Sequence, residues 1–171
     1  MHITKDNINE FIDGSIMNCS NKDITRLEYI PDGITSLYCH NNELTTLPHL
    51  PEGLIYLYCE HNQLTELTKL PEGLVILNCH NNQLTELPKL PDGLKYLYCY
   101  SNKLTELTKL PESLEYLSCS NNQLTELPKL PESLKRLYCG GNQLPYIVTI
   151  ENLKEHNTLI KRKQILSKIC G

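Results

Sequence analysis

Seven cysteines, Cys19, Cys39, Cys59, Cys79, Cys99, Cys119 and Cys139, stand 20 residues apart. A period of that length, held over most of a chain, restricts the fold to stacked units that each touch only their neighbours. One segment of 20 residues cannot bury an apolar face alone, whereas a stack of them shares a continuous core. The wording around each cysteine repeats too. Leu90-Pro91-Asp92-Gly93-Leu94-Lys95-Tyr96-Leu97-Tyr98-Cys99 is one such block, and Asn82-Gln83-Leu84-Thr85-Glu86-Leu87 continues another. The common rule is LxxLxCxxNxLxxL.

Each position of the rule has a physical task. Leu97 and Cys99 alternate with Tyr96 and Tyr98, the period of a short strand with one face buried. Stacking such segments makes a parallel sheet. Where the chain leaves the sheet its backbone groups still need partners, and a buried asparagine amide both donates and accepts. Asn42, Asn62, Asn82, Asn102, Asn122 and Asn142 supply that ladder. The return segment carries Pro48 and Pro51, Pro88 and Pro91, and Pro128 and Pro131. Proline fixes φ and excludes helix, so the convex side is expected to be extended or polyproline-like.

The rule is the leucine-rich-repeat pattern with cysteine in the third apolar slot. The chain resembles leucine-rich-repeat proteins of giant viruses of the mimivirus type, whose repeats read LPEGLxxLYCxxNQLTELP, from Ile12 to Leu144. It is also similar to the 20-residue repeats of secreted bacterial effectors, which usually carry valine where this chain has cysteine. The resemblance implies an α/β-class, right-handed solenoid with a parallel β-sheet on its concave face. The expected division is an N-terminal cap segment over residues 1–11, seven repeats over 12–144 and a C-terminal helical cap over 145–171. The first repeat departs from the rule at Gly14, Met17 and Lys22. Thr149 to Ile169 reads as helical, with Ile150, Leu153 and Ile160 on one stripe and Ile165, Leu166 and Ile169 on another. Because the stripes do not align, a break near Asn157 and Thr158 and two short helices are expected. Lys161, Arg162, Lys163 and Lys168 read as a solvated helix face.

The cysteine column has three readings: buried free thiols, disulfides between rungs, or metal ligands. Side chains in register point the same way, and an odd column leaves one thiol over, so buried thiols are expected. His40, Glu60 and His80 share a surface column with His61 beside it, but two rungs separate the first and third by about 10 Å, too far for one ion without long-reaching rotamers. No metal or other cofactor is expected. Glu66, Glu86, Glu106 and Glu126 run beside Lys69, Lys89, Lys109 and Lys129, and these columns are expected to offset each other's charge.

The concave face is where the repeats vary. Eight of the ten tyrosines fall there: Tyr38, Tyr56, Tyr58, Tyr96, Tyr98, Tyr100, Tyr116 and Tyr138. Tyrosine joins an apolar body to a polar tip and is enriched at interface hot spots, so this face is the candidate partner-binding site. The competing role is structural, as aromatic neighbours also stabilise a sheet. No catalytic residues are expected: the chain lacks a glycine-rich phosphate loop, an HExxH motif and a nucleophile elbow. Some effectors of similar repeat append a ubiquitin-ligase domain, for which this sequence has no room. A formal charge of −4 gives no general attraction to nucleic acid or anionic membranes, so neither is an expected partner.

The function expected from these features is a non-enzymatic protein-interaction module that binds a host or viral protein through the tyrosine face. The alternative is a structural or self-assembling, particle-associated repeat protein. The protein is expected to be a monomer or to self-associate weakly. A polar amino terminus and the lack of any apolar run near the roughly 18 residues of a membrane span point to the cytoplasm, a host's if the source is viral, and not to secretion.

Overall fold

The computed structural model describes residues 1–170. The chain winds into a solenoid of about seven turns, each contributing one three-residue strand to the concave side. The strands are β1 (His2–Ile3), β2 (Ile12–Asp13), β3 (Ile16–Asn18), β4 (Arg26–Leu27), β5 (Ser36–Tyr38), β6 (Tyr56–Tyr58), β7 (Ile76–Asn78), β8 (Tyr96–Tyr98), β9 (Tyr116–Ser118) and β10 (Arg136–Tyr138). A short 3-10 turn covers Ile8–Phe11, and a single helix, α1 (Leu153–Cys170), follows the last rung.

The main sheet has eight strands in the order β10-β9-β8-β7-β6-β5-β3-β2, all parallel except β2. Its register is the sequence period. Leu37 faces Leu57, Leu57 faces Leu77, Leu77 faces Leu97 and Leu97 faces Leu117. Strand β1 pairs with β4 in a separate two-stranded sheet. The N-terminal side of β3 is thus closed by the chain's own hairpin, with Ile12 opposite Met17.

The core is a set of columns. Leu94, Leu97, Cys99 and Leu104 are fully buried, and the same positions are buried in the rungs on either side. After each cysteine the backbone turns through a left-handed residue, Asn41, His61, Asn81, Ser101 or Asn121, with φ near 50° in each. These residues are polar, and asparagine in particular tolerates that region. The asparagine amide then closes the turn: Asn82 donates to Cys59 O and Cys79 O and accepts from Leu64 N at 2.9 Å. The first rung has lysine in that slot, so its turn lacks an amide of its own and is held from the next rung alone, by Asn42, whose Oδ1 accepts from Lys22 N and Ile24 N.

Two expectations are corrected. The C-terminal segment forms one unbroken helix, not two. Asn157 does not break it but docks it, accepting from Leu130 N at 2.8 Å and donating to Leu130 O at 2.7 Å. Thr158 bonds back to Lys154 O within the helix. The two apolar stripes diverge because only the first packs: Leu153 and Ile160 are buried, whereas Ile165, Leu166 and Ile169 face solvent. The lysine column is also paired differently. Lys69 reaches Glu52, Lys89 reaches Glu72 and Lys129 reaches Glu112, each one a carboxylate of the preceding rung's turn rather than of the glutamate column. A long side chain leaning along the stack meets that turn first. Among the described residues no helix is long and apolar enough to cross a membrane.

Candidate functional site

The concave face is built by the alternation of each strand. Leu57 and Cys59 point inward while Tyr56, Tyr58 and Glu60 point out. The structure brings all eight tyrosines onto this face, where six of the rings pair with a neighbouring ring and those of Tyr56 and Tyr96 do not. Tyr38 stacks on Tyr58 directly across the ladder, with centroids 4.9 Å apart and planes 7° from parallel. Further along, small Ser118 interrupts the column and is itself buried. Tyr98 and Tyr138 both lean diagonally onto Tyr116 over that gap, at 4.6 and 5.7 Å. Tyr100 stacks on His80 at 4.1 Å. Tyr56 and Tyr138 are the most open, at 38% and 51% exposure, and Tyr96 is half-buried.

Stacking occupies the rings and leaves the phenols. Among the described residues none of these eight hydroxyls hydrogen-bonds to the protein; the tyrosine hydroxyl that does belongs to Tyr146. Desolvation raises the pKa of Tyr58, Tyr98, Tyr100 and Tyr116, so these phenols stay neutral and present donors at neutral pH.

Beside the tyrosines lies a polar cluster. His40 Nδ1 approaches Glu60 Oε1 at 3.9 Å, and both His40 Nδ1 and Glu60 Oε2 are buried without a hydrogen-bond partner. His80 Nδ1 donates to Asn78 Oδ1 at 2.6 Å, and His61 meets the His80 ring edge-on at 5.0 Å. Burial pushes His80 down to about 4, with His61 adding to the shift, and burial raises Glu60. Among the described residues no group of three or more His, Cys, Asp or Glu side chains is arranged to hold a metal ion.

The cysteine column lies behind the sheet. Cys19 through Cys119 are buried free thiols and Cys139 is half-buried. Burial pushes Cys19 and Cys79 up to about 12, so these sulfurs stay protonated and unreactive.

A parallel concave sheet, an extended convex arm and an asparagine ladder define the leucine-rich-repeat fold. The Leucine Rich Repeat family model matches residues 113–137. The chain is a leucine-rich-repeat protein similar to the repeat domains of bacterial effectors. YopM from Yersinia enterocolitica WA-314 is 41% identical over 74% of this chain and 29% of its own length, with a TM-score of 0.71. A Shigella effector LRR domain is 34% identical over 78% of this chain and 61% of its own, with a TM-score of 0.75. The functional domain of InlJ from Listeria monocytogenes, which includes a cysteine ladder, is 27% identical over 78% of this chain and 36% of its own, with a TM-score of 0.54. The chain therefore spans less than two thirds of each of these structures. No match was found among curated proteins.

Proposed function

We propose that the protein is a non-catalytic interaction module whose concave face, centred on Tyr56, Tyr58, Tyr96 and Tyr98, engages a protein partner. One observation carries this reading: eight tyrosines share one face, the rings of Tyr38, Tyr58, Tyr98, Tyr100, Tyr116 and Tyr138 are each stacked on a neighbouring ring, and among the described residues none of the eight hydroxyls is used within the fold. Rings already immobilised lose little entropy on binding, and free phenols can bond to a partner without breaking an internal bond. Seven rungs at about 4.8 Å spacing give a face long enough for roughly 800 Å² of contact. The similarity to effector repeat domains supports a protein as the ligand.

The reading extends to the setting. Free thiols throughout the core suit a reducing compartment such as the cytoplasm, and the resemblance to giant-virus repeats supports a viral source with a host or viral partner. Replacing Tyr56, Tyr58, Tyr96 and Tyr98 by serine leaves the core columns untouched. The variant is expected to keep the wild-type circular dichroism, to melt cooperatively but lower because two ring pairs are lost at about 0.5–1.5 kcal/mol each, and to lose the proteins that the wild type captures. Capture of the same proteins by the folded variant overturns the assignment of the face.

A further inference from the structure

Every strand of the main sheet hands its outer edge to the next rung in the same way. The cysteine N–H donates forward: Cys79 to Tyr98 O, Cys99 to Ser118 O and Cys119 to Tyr138 O, at 2.8–2.9 Å. Two residues on, Asn81 donates to Tyr100 O, Ser101 to Ser120 O and Asn121 to Gly140 O. In return, the carbonyl before each strand receives two N–H groups, as Glu115 O does from Lys135 N and Arg136 N. At the last rung this series stops. Among the described residues Cys139 N–H and Gly141 N–H have no acceptor, and Lys135 O receives no donor.

The segment after the last rung packs behind the sheet, with Cys139 Sγ 3.4 Å from Val148 O, but leaves the backbone edge of β10 open. Helix α1 docks beside the convex arm, through Asn157 on Leu130 and His156 on Pro128 O. The concave-side edge instead opens into a cavity of about 710 Å³ lined by Leu137, Tyr138, Cys139, Leu144 and Ile147. Ile147 is 82% exposed. A row of unpaired backbone groups beside an apolar groove is the arrangement that accepts an added strand.

We propose that the outer edge of β10 binds an extended segment of a partner protein, parallel to β10, with an acidic, an apolar, an aromatic and a second apolar residue in succession. The order follows from continuing the register by one step. Arg136, Leu137 and Tyr138 face Tyr116, Leu117 and Ser118 on their inner side. On their outer side Arg136 is exposed and unpaired among the described residues, so the residue opposite it is a carboxylate. The residue opposite Leu137 continues the leucine column inward. The one opposite Tyr138 stacks on a ring already leaning on Tyr116, and the next lies over the groove bordered by Cys139, Ile147 and Val148. The N–H groups of the carboxylate residue and of the residue just before it donate to Lys135 O, and the segment's carbonyls accept from Cys139 and Gly141. This site is separate from the one centred on Tyr56 and Tyr58, and one partner can span both.

The test uses the full chain and an acetylated, amidated peptide, Ser-Glu-Leu-Tyr-Val-Ser-Gly-Asn. Saturable binding is expected by isothermal titration calorimetry, with the largest amide shifts at Cys139 and Gly141 in NMR spectra. Methylating the peptide's first two backbone nitrogens is expected to weaken binding roughly tenfold or more, the scale of one lost hydrogen bond. Arg136→Glu, an exposed change, is expected to weaken it similarly and to be rescued by a peptide with lysine in place of glutamate. A Tyr56→Ser, Tyr58→Ser double variant binds the peptide as the wild type does, which separates this site from the concave face. Absence of saturable binding, indifference to N-methylation, or shifts centred on Tyr56 and Tyr58 would overturn the proposal. So would concentration-dependent growth in the mass of the protein alone that the peptide reverses, since the edge would then belong to a second copy.

Discussion

A middle rung and the last rung obey the same sequence rule and do not have the same structure. Leu97 and Cys99 are fully buried and Asn102 nearly so, whereas Leu137, Cys139 and Asn142 are half-buried. The difference is not in the residues but in what lies beyond them. In a solenoid each rung is stabilised by its two neighbours, so an identical side chain contributes less where one neighbour is missing.

The asparagine ladder tests this most strongly. Asn82 serves three buried backbone groups, Cys59 O, Cys79 O and Leu64 N. Asn82→Ala orphans all three, at about 1–3 kcal/mol each, and is expected to abolish folding or to lower the urea midpoint more than any other single change here. Asn142 makes the corresponding bonds to Cys119 O, Cys139 O and Leu124 N, but all are partly exposed. Water can replace the amide there, so Asn142→Ala is expected to cost about 1 kcal/mol. Equal losses for the two variants would show that rung position is irrelevant.

The leucine column gives the next effect. Leu97→Ala empties space in a closed interior and is expected to destabilise by about 2–5 kcal/mol. Leu137→Ala opens onto a cavity already in contact with solvent, and about half that loss is expected. Thermal and urea unfolding of the pair measure the ratio directly.

The cap contributes on a smaller scale. His156 is 2% exposed, and its Nε2 lies 2.9 Å from Pro128 O, a group that only accepts. Nε2 therefore carries the proton, and Nδ1 accepts from Tyr146 OH at 2.9 Å. His156→Ala leaves both partners unpaired and is expected to cost about 1–3 kcal/mol, with faster hydrogen exchange in α1 before the middle rungs open. Uniform acceleration along the chain would mean that α1 unfolds together with the solenoid.

The contrast between rungs also explains which parts of the structure could be read from the sequence. Leucine, cysteine and asparagine columns are legible because a 20-residue period fixes register, and strand alternation then assigns the eight tyrosines to one face. The left-handed turn position is not legible as a pattern, because asparagine, histidine and serine all occupy it. Ring pairing was hidden too. Tyr98 lies directly opposite Ser118, and only the three-dimensional spacing shows it crossing to Tyr116. The single helix is not legible because two diverging stripes resemble a break when both are assumed to pack; Ile165, Leu166 and Ile169 do not. The free edge at Cys139 and Gly141 is a property of what is missing beside β10, which no local motif records.

The smallest effect expected concerns a column that carries titratable groups in the middle and none at the end: His40, Glu60 and His80 occupy it, and Gly140 closes it. His80 is stacked on Tyr100, donates to Asn78 and faces His61, and burial holds its pKa at about 4, below the ordinary histidine value of 6.5. Between those values the unfolded chain binds more protons than the folded one, so the contribution of neutral His80 is fully present above about 6.5 and is lost as pH falls toward about 4. Glu60 acts in the opposite sense, because burial raises its pKa and the folded state then holds its proton more tightly. His80 carries the larger shift and sets the sign. The site is half-exposed, so screening keeps the net effect to about 1 kcal/mol or less. Urea midpoints at about pH 7 and about pH 5 bracket most of the histidine window. The wild type is expected to lose more stability between them than His80→Asn, which cannot titrate, and an equal loss in both would locate the acid response in the carboxylates along the arm instead.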